Sequence, residues 1–419
     1  MLKMIDFTNC EVDLTTTYGG SDKKRPIIYN GNRYMLKLSD RIPEEKRNPL
    51  NSSYTNSAFS EHIGCSILKT MGFTVQDTLL GEITMISSKG IERTYPVVAC
   101  KNFIPDGKSL VEFKTIENAV LTSKPPKTPR LTDIYEIMQH DNPYFSKEFG
   151  EKAIESYWDL FIADGLLGNF DRHANNWGYL IDNVTKEIEL APVYDCGSSL
   201  YPQLSDDKLL DIINNQSEIQ KRIDTFPKAA LQDENKEKVS YKDYISSFQN
   251  QDCTDALIRV FPKIDIDKIH DVIDNCGEIS DIRKLFYKTM VDARYEQIIL
   301  EPYRDISQKL KEIRFSELSN LTQTEKSLVK SITFSDNDML NLSENSLEGC
   351  SQLEKAFVSE DLFVFIGENF GNEFFSGTMI NSPFTLPEEK ILEESIINPN
   401  RDELAELSDI DGFDPADDY

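Results

Sequence analysis

Near the middle of the chain stand three side chains whose types and spacing could do chemistry: Asp171, Asn176 and, in an Asp-Cys-Gly run, Asp195. Between the last two, Trp177 to Ile181 and Glu187 to Leu190 are short β-prone runs separated by Asp-Asn-Val-Thr-Lys, a pattern that forms a hairpin. An antiparallel hairpin brings the chain back to where it began, so Asn176 and Asp195 are expected side by side at its open end. A carboxylate followed by such an amide and a second carboxylate suits phosphoryl transfer. There one carboxylate takes the proton of the attacking hydroxyl, and hard oxygen ligands hold magnesium against the β- and γ-phosphates of a nucleotide. The Asp-x-x-x-x-Asn spacing, with Asp-x-Gly behind it, assigns Asp171 to the base and Asn176 and Asp195 to the metal. Turns also gather Asp, Asn and Gly for conformational reasons alone, so the combination with the hairpin and with the apolar helix ahead of it carries the reading.

In that helix, Phe149, Ala153, Tyr157 and Phe161 fall on one line and Ile154, Trp158 and Ile162 on the next, which predicts a buried helix over roughly 148–167 that delivers Gly168 to the loop. Far upstream, Asn30-Gly31 within Pro26 to Leu38 predicts a tight hairpin with Lys37 on its second strand. Just before it, Tyr18-Gly19-Gly20-Ser21 lies among threonines and lysines. Paired glycines let backbone N–H groups approach phosphate oxygens and Ser21 adds a hydroxyl, although Gly-Gly is also an ordinary loop. Ala58 to Met71 reads as a helix closed by Gly72, with Glu61 inside its apolar stripe. A carboxylate so placed needs a cationic partner, and Lys37 is the natural one; on a solvated face Glu61 would need none, and Lys37 would be an ordinary solvated strand lysine. Strands are expected at Phe73 to Met85 and Tyr95 to Phe103, with Lys101 to Phe103 offering backbone groups to a nucleotide base.

The run Gly168-Asn169-Phe170-Asp171-Arg172-His173-Ala174-Asn175-Asn176, with Ala191-Pro192-Val193-Tyr194-Asp195 behind it, resembles the HipA-like serine/threonine kinases, and the resemblance extends over most of residues 15–300. It implies a two-lobed, protein-kinase-like α+β fold with a β-rich amino-terminal lobe and a mostly helical carboxy-terminal lobe. It implies ATP and Mg²⁺ as cofactors and a protein serine or threonine as acceptor. Asp171, Asn176 and Asp195 keep the roles given above, His173 joins them as a family feature two residues after the base, and Lys37 with Glu61 positions the phosphates. Tyr18, Gly19, Gly20, Ser21, Lys37, Lys101, Phe103 and Tyr194 form the expected nucleotide-binding set. Members of the family phosphorylate a serine in the phosphate loop, which makes Ser21 the expected site of autophosphorylation. Many members carry a longer amino-terminal subdomain that meets an antitoxin partner; about fifteen residues precede the loop here. That shortness resembles the CtkA-like branch and leaves an antitoxin-like regulator an open expectation.

With 419 residues, 39% hydrophobic and 10% aromatic, the chain can bury a sizeable core. Expected divisions are an amino-terminal lobe over 1–104, a helical lobe over 105–315, an extension over 316–387 and an acidic tail over 388–419, where twelve acids face two bases. No internal repeat is visible. The net charge of −27 argues against direct binding to nucleic acid or an anionic membrane, each of which needs a basic face. Seven cysteines without a Cys-x-x-Cys pair point away from zinc and disulfides and towards a reducing, cytoplasmic setting. The amino terminus lacks the apolar core of a signal peptide and no window approaches a membrane span, with export that needs no cleaved signal left open. Two other readings compete: a kinase of lipids or small molecules, and a non-catalytic pseudokinase or scaffold. Loss of the base or of a metal ligand would favour the scaffold, and Lys37, Glu61, Asp171, Asn176 and Asp195 are all present.

Overall fold

The computed structural model describes residues 4–15, 23–38, 56–86, 90–122, 124–126, 128–277 and 279–381. Short strands β1 (Ile5–Asp6) and β2 (Glu11–Val12) precede the hairpin of β3 (Lys23–Tyr29) and β4 (Asn32–Leu38). Asn30 and Gly31 turn the hairpin with φ of 48° and 74°, the left-handed pair that a two-residue connection requires, and Tyr29 faces Asn32 across it. Along β4 the side chains alternate. Tyr34, Leu36 and Leu38 are buried with Phe7, Ile27, Ile83 and Val97 in one apolar layer. Met35 and Lys37 therefore face the opposite side, where Val98 and Cys100 pack on Ala58.

Ala58 belongs to helix α1 (Ser57–Thr70), which buries Phe59, Ile63, Ile67 and Leu68 and is closed by Gly72 at φ 81°. Strands β5 (Thr78–Ile86) and β6 (Glu92–Lys101) complete a six-stranded sheet in the order β1-β5-β6-β4-β3-β2, parallel only between β1 and β5. The chain then forms β7 (Lys108–Glu112), α2 (Phe113–Val120), α3 (Leu131–Met138) and α4 (Lys147–Leu167), followed by β8 (Gly178–Asp182) and β9 (Ile188–Leu190). The expected hairpin is present, with Tyr179 opposite Leu190, and β7 adds a third antiparallel strand to it. The predicted buried helix is α4. Ser146 caps its start by accepting the Phe149 N–H, Gly168 ends it at φ 64°, and Trp158, Ile162, Leu166 and Leu167 bury their side chains in the main core.

Behind α4 lie α5 (Asp206–Ile213), α6 (Gln216–Asp224), α7 (Tyr241–Ser247), α8 (Gln251–Val260), α9 (Ile266–Asn275), α10 (Asp281–Arg294) and α11 (Glu301–Leu310). Pro262 lies in the 3₁₀ turn Phe261–Lys263 that follows α8. A small hairpin, β10 (Lys228–Gln232) with β11 (Lys238–Ser240), sits among these helices. Its strands are too short and too poor in β-branched residues to have announced themselves.

All these elements fall in one compact unit; among the described residues a second comprises Ile313–Ser319, Lys330–Glu348 and residues 353–381. Within it β12 (Glu312–Arg314), β13 (Ser331–Thr333), β14 (Lys355–Phe357) and β15 (Met379–Asn381) form a sheet in sequence order, and the last three run parallel. Each of the first three strands buries its central residue, Ile313, Ile332 and Ala356, and then Phe315, Phe334 and Val358 two positions on. Ser335 and Ser359 then start helical turns. This corrects the expectation of no repeat. The unit stacks strand-and-helix turns as solenoids do, and only a few positions per turn are held to one residue type, so the sequence hides the period. Among the described residues no helix is long and apolar enough to cross a membrane.

Gly150 gives the packing of α3 on α4 a sharp test. A Cβ there would stand 1.7 Å from the carbonyl oxygen of Met138, the last residue of α3. Helix propensity alone favours Gly150→Ala by about 1 kcal/mol. Overpacking reverses the sign, and the variant should lose about 1–3 kcal/mol in urea denaturation. A more stable variant would refute this account of the contact.

Candidate active site

The first unit holds a cleft of about 730 Å³ whose lining includes Lys37, Glu61, Asp171, His173, Asn176 and Asp195. Three elements meet at one ammonium. Lys37 on β4 places Nζ 2.8 Å from Glu61 Oε2 on α1 and 2.8 Å from Asp195 Oδ1 beyond β9. Burial works against a charged Lys37, but Asp195 and Glu61 override it and hold its pKa well above that of an ordinary lysine. Burial likewise pushes the Asp195 carboxyl up, and the Lys37 ammonium reverses this, leaving its pKa below the usual carboxylate value. Glu61, only 1% exposed in its side chain, also accepts the Cys196 N–H at 3.1 Å, so both of its oxygens are used. A Cβ at Gly197 would lie 3.1 Å from Glu61 Oε2, a tight approach to the ion pair.

The loop carrying Asp171 is built on Asp164, near the end of α4. Its two oxygens receive Arg172 Nε at 2.9 Å and Nη2 at 3.2 Å, and Asn169 Nδ2 at 3.0 Å. Arg172 Nη1 donates onward to the carbonyl of Asn176 at 3.0 Å and to that of Tyr194. Asn169 Oδ1 accepts the Asp171 N–H, and the Asn169 carbonyl accepts the Tyr241 hydroxyl at 2.7 Å. These bonds aim Asp171 into the cleft. His173 accepts the Asn175 N–H at Nδ1, which leaves its proton on Nε2, 3.8 Å from Asp171 Oδ1. Desolvation in the cleft raises the Asp171 pKa, with His173 pulling the other way and Asp195 adding to the rise.

Asn176 Nδ2 donates to the Asp171 carbonyl at 2.8 Å, so the amide oxygen is the end left for a ligand. Asp195 Oδ2 likewise has no partner among the described residues, and Asp195 holds φ at 60°, a left-handed conformation of the kind that clusters at functional sites. One amide oxygen and one carboxylate suit Mg²⁺, which keeps waters and phosphate oxygens as its remaining ligands. Among the described residues no three His, Cys, Asp or Glu side chains converge as a closed metal cage would need. The Tyr194 ring stacks on Phe103 at 5.7 Å, and both line the cleft. Lys101 does not line it: its N–H donates to Asp77 and its carbonyl accepts from Gln76. Tyr18, Gly19, Gly20 and Ser21 lie outside the described residues.

Sequence reasoning missed Asp164, Arg172, Asn169 and Gln76. Asp164 carried a usable signal, an acid inside the apolar pattern of a buried helix, the same kind that singled out Glu61. Because Arg172 and Asp164 are both buried, removing the cation strands a charge, and Arg172→Met should cost about 3–5 kcal/mol in denaturant unfolding. Arg172→Lys should recover little of it, since an ammonium cannot reach the carboxylate and both carbonyls in one plane. Wild-type stability in the Lys variant would contradict this.

The HipA-like C-terminal domain family matches residues 16–252. The chain is 39% identical over 297 residues to the serine/threonine-protein kinase CtkA of Helicobacter pylori strain J99, covering 70% of this chain and 86% of that protein. It is also similar to the crystal structure of a Helicobacter pylori proinflammatory kinase CtkA, with a TM-score of 0.64 and 37% identity over 72% of this chain and 97% of that one. A HipA, HipB and operator DNA complex from Shewanella oneidensis MR-1 is a remote likeness, at TM-score 0.40 and 13% identity over 70% of this chain and 68% of that one. With an α+β fold similar to that of a solved kinase, and with Lys37, Glu61, Asp171, Asn176 and Asp195 lining one cleft, this chain belongs to the HipA-like kinase family.

Proposed function

We propose that the chain transfers the γ-phosphoryl group of ATP, with magnesium, to a serine or threonine of a protein. The observation that carries this reading is Lys37 held at 2.8 Å by both Glu61 and Asp195 in the cleft that Asp171 and Asn176 line. In phosphoryl transfer a lysine so held meets the nucleotide phosphates. Asp171 orients the acceptor hydroxyl and takes its proton. Asn176 and Asp195 are the residues that would hold Mg²⁺, which neutralises charge on the phosphates when bound. Phe103 and Tyr194 offer a stacked aromatic surface at the base end. The match to a serine/threonine-protein kinase across most of its length supports a protein acceptor. Seven free cysteines fit a cytoplasmic setting.

Asp171→Asn should lower transfer by 10³-fold or more, on the order of 4 kcal/mol in the barrier, while ATP binds nearly as before. Asp195→Asn should instead weaken ATP binding that depends on magnesium. Nucleotide titrations of the two variants separate the roles, and an equal loss of affinity in both would sink them. The base works ionised, so transfer should fall tenfold per unit as pH drops below the Asp171 pKa, and this acid limb begins above the ordinary aspartate range because burial raises that pKa. His173 works against that rise, so His173→Ala should move the limb to still higher pH.

Ser21 is our candidate for self-modification. A phosphoserine adds roughly −1.5 to −2 charges next to the phosphate loop and would oppose nucleotide binding. Phosphosite mapping after incubation with ATP checks this, and an unmodified Ser21 rules it out.

A further inference from the structure

Gln76 was not expected at the site, yet it lines the cleft together with Met35, Val98, Cys100 and Phe103 while being only 7% exposed. Its backbone is clamped: the Gln76 N–H donates to Val193 at 2.9 Å, and the Val193 N–H returns to Thr74 at 2.8 Å. Its side-chain Nε2 donates to the Lys101 carbonyl at 2.9 Å. That bond decides which way the amide points, because a flipped amide would set Oε1 against the carbonyl oxygen, two acceptors face to face. Gln76 Oε1 has no partner among the described residues, and it is not among the sealed, orphaned polar atoms either, so the surface it keeps is the surface that lines the cleft.

The neighbouring backbone sharpens the point. The Lys101 N–H is taken by Asp77 and the Asn102 N–H by Arg33, whereas the N–H of Phe103 has no partner among the described residues. A purine edge meeting this wall finds a fixed acceptor in Gln76 and a donor in Phe103. Adenine presents the complement, an amine at C6 beside an acceptor at N1. Guanine and hypoxanthine present the reverse, an acceptor at C6 beside an N1–H.

We propose that Gln76 selects the base of the nucleotide, its locked amide oxygen accepting from a 6-amino group and rejecting a 6-oxo group. The inference rests on the nucleotide-binding reading above and adds to it a specificity residue. It also explains why this buried position holds an amide at all.

The test measures dissociation constants of the full chain, with magnesium, for ATP, inosine triphosphate and purine riboside triphosphate, whose C6 carries only hydrogen. Wild-type protein should bind ATP most tightly, the unsubstituted purine next and the 6-oxo nucleotide least. Gln76→Leu keeps the bulk and removes the amide; it should narrow the preference for ATP over inosine triphosphate by about tenfold, the effect of one hydrogen bond. Most of that change should come from weaker ATP binding. A Gln76→Leu protein with the full wild-type preference would overturn the assignment. So would a wild-type protein indifferent to the C6 group, a result that needs no variant to fold. A wild-type protein that binds none of the three would instead overturn the nucleotide reading on which the inference stands.

Discussion

The buried pair of Arg172 and Asp164 is the interaction on which the rest of the site depends. Stability is not its main contribution, because desolvating two charges offsets most of what their attraction returns. Its contribution is geometric. One planar guanidinium fills the Asp164 carboxylate with two donors and then reaches the carbonyls of Asn176 and Tyr194. Asn176 precedes β8 and Tyr194 follows β9, so the same side chain ties together the two ends of the hairpin. The two candidate metal ligands are brought level by this tie and by the strand pairing together. Asp164 in turn is carried by α4, a helix whose last turns are buried in the main core, and the loop is anchored there.

Lys37 plays a comparable part across the cleft. It joins β4, α1 and the segment after β9, so the sheet, the helix and the hairpin cannot shift independently without breaking an ion pair at low exposure. Two carboxylates around one ammonium leave a local excess of negative charge, and Asp171 adds to it. Such a field favours a divalent cation and the phosphates that accompany it, and it disfavours phosphates arriving alone. Lys24, also lining the cleft, is a further cation on the wall formed by the strands.

The second unit obeys a different logic. Its first three strands each bury a central apolar residue and two of its turns begin at serines, so no turn has a core of its own and each depends on its neighbour. The relatives at 37–39% identity span 70–72% of this chain, so a large part of it has no counterpart in them. Every residue that lines the cleft lies in the first unit.

Much of the site was legible in the sequence, because it is written in local signals: Asn30-Gly31 sets a turn, alternation puts Lys37 on a definite face, helical spacing buries Glu61, and a hairpin returns Asp195 to Asn176. Each is a statement about a few consecutive residues whose backbone geometry is known in advance. What the tertiary structure alone decided is which groups spend their hydrogen bonds on each other. Arg172 could have faced solvent; the carboxylate of Asp164 and the carbonyls of Asn176 and Tyr194 claim it instead. Lys101 was expected at the base, but Asp77 and Gln76 occupy its backbone, and Gln76 takes its place in the lining. The repeat in the second unit was hidden for the same reason, since Ile313, Ile332 and Ala356 become equivalent only when their strands lie side by side. A sequence states what each residue can donate, accept or bury; only packing states with whom.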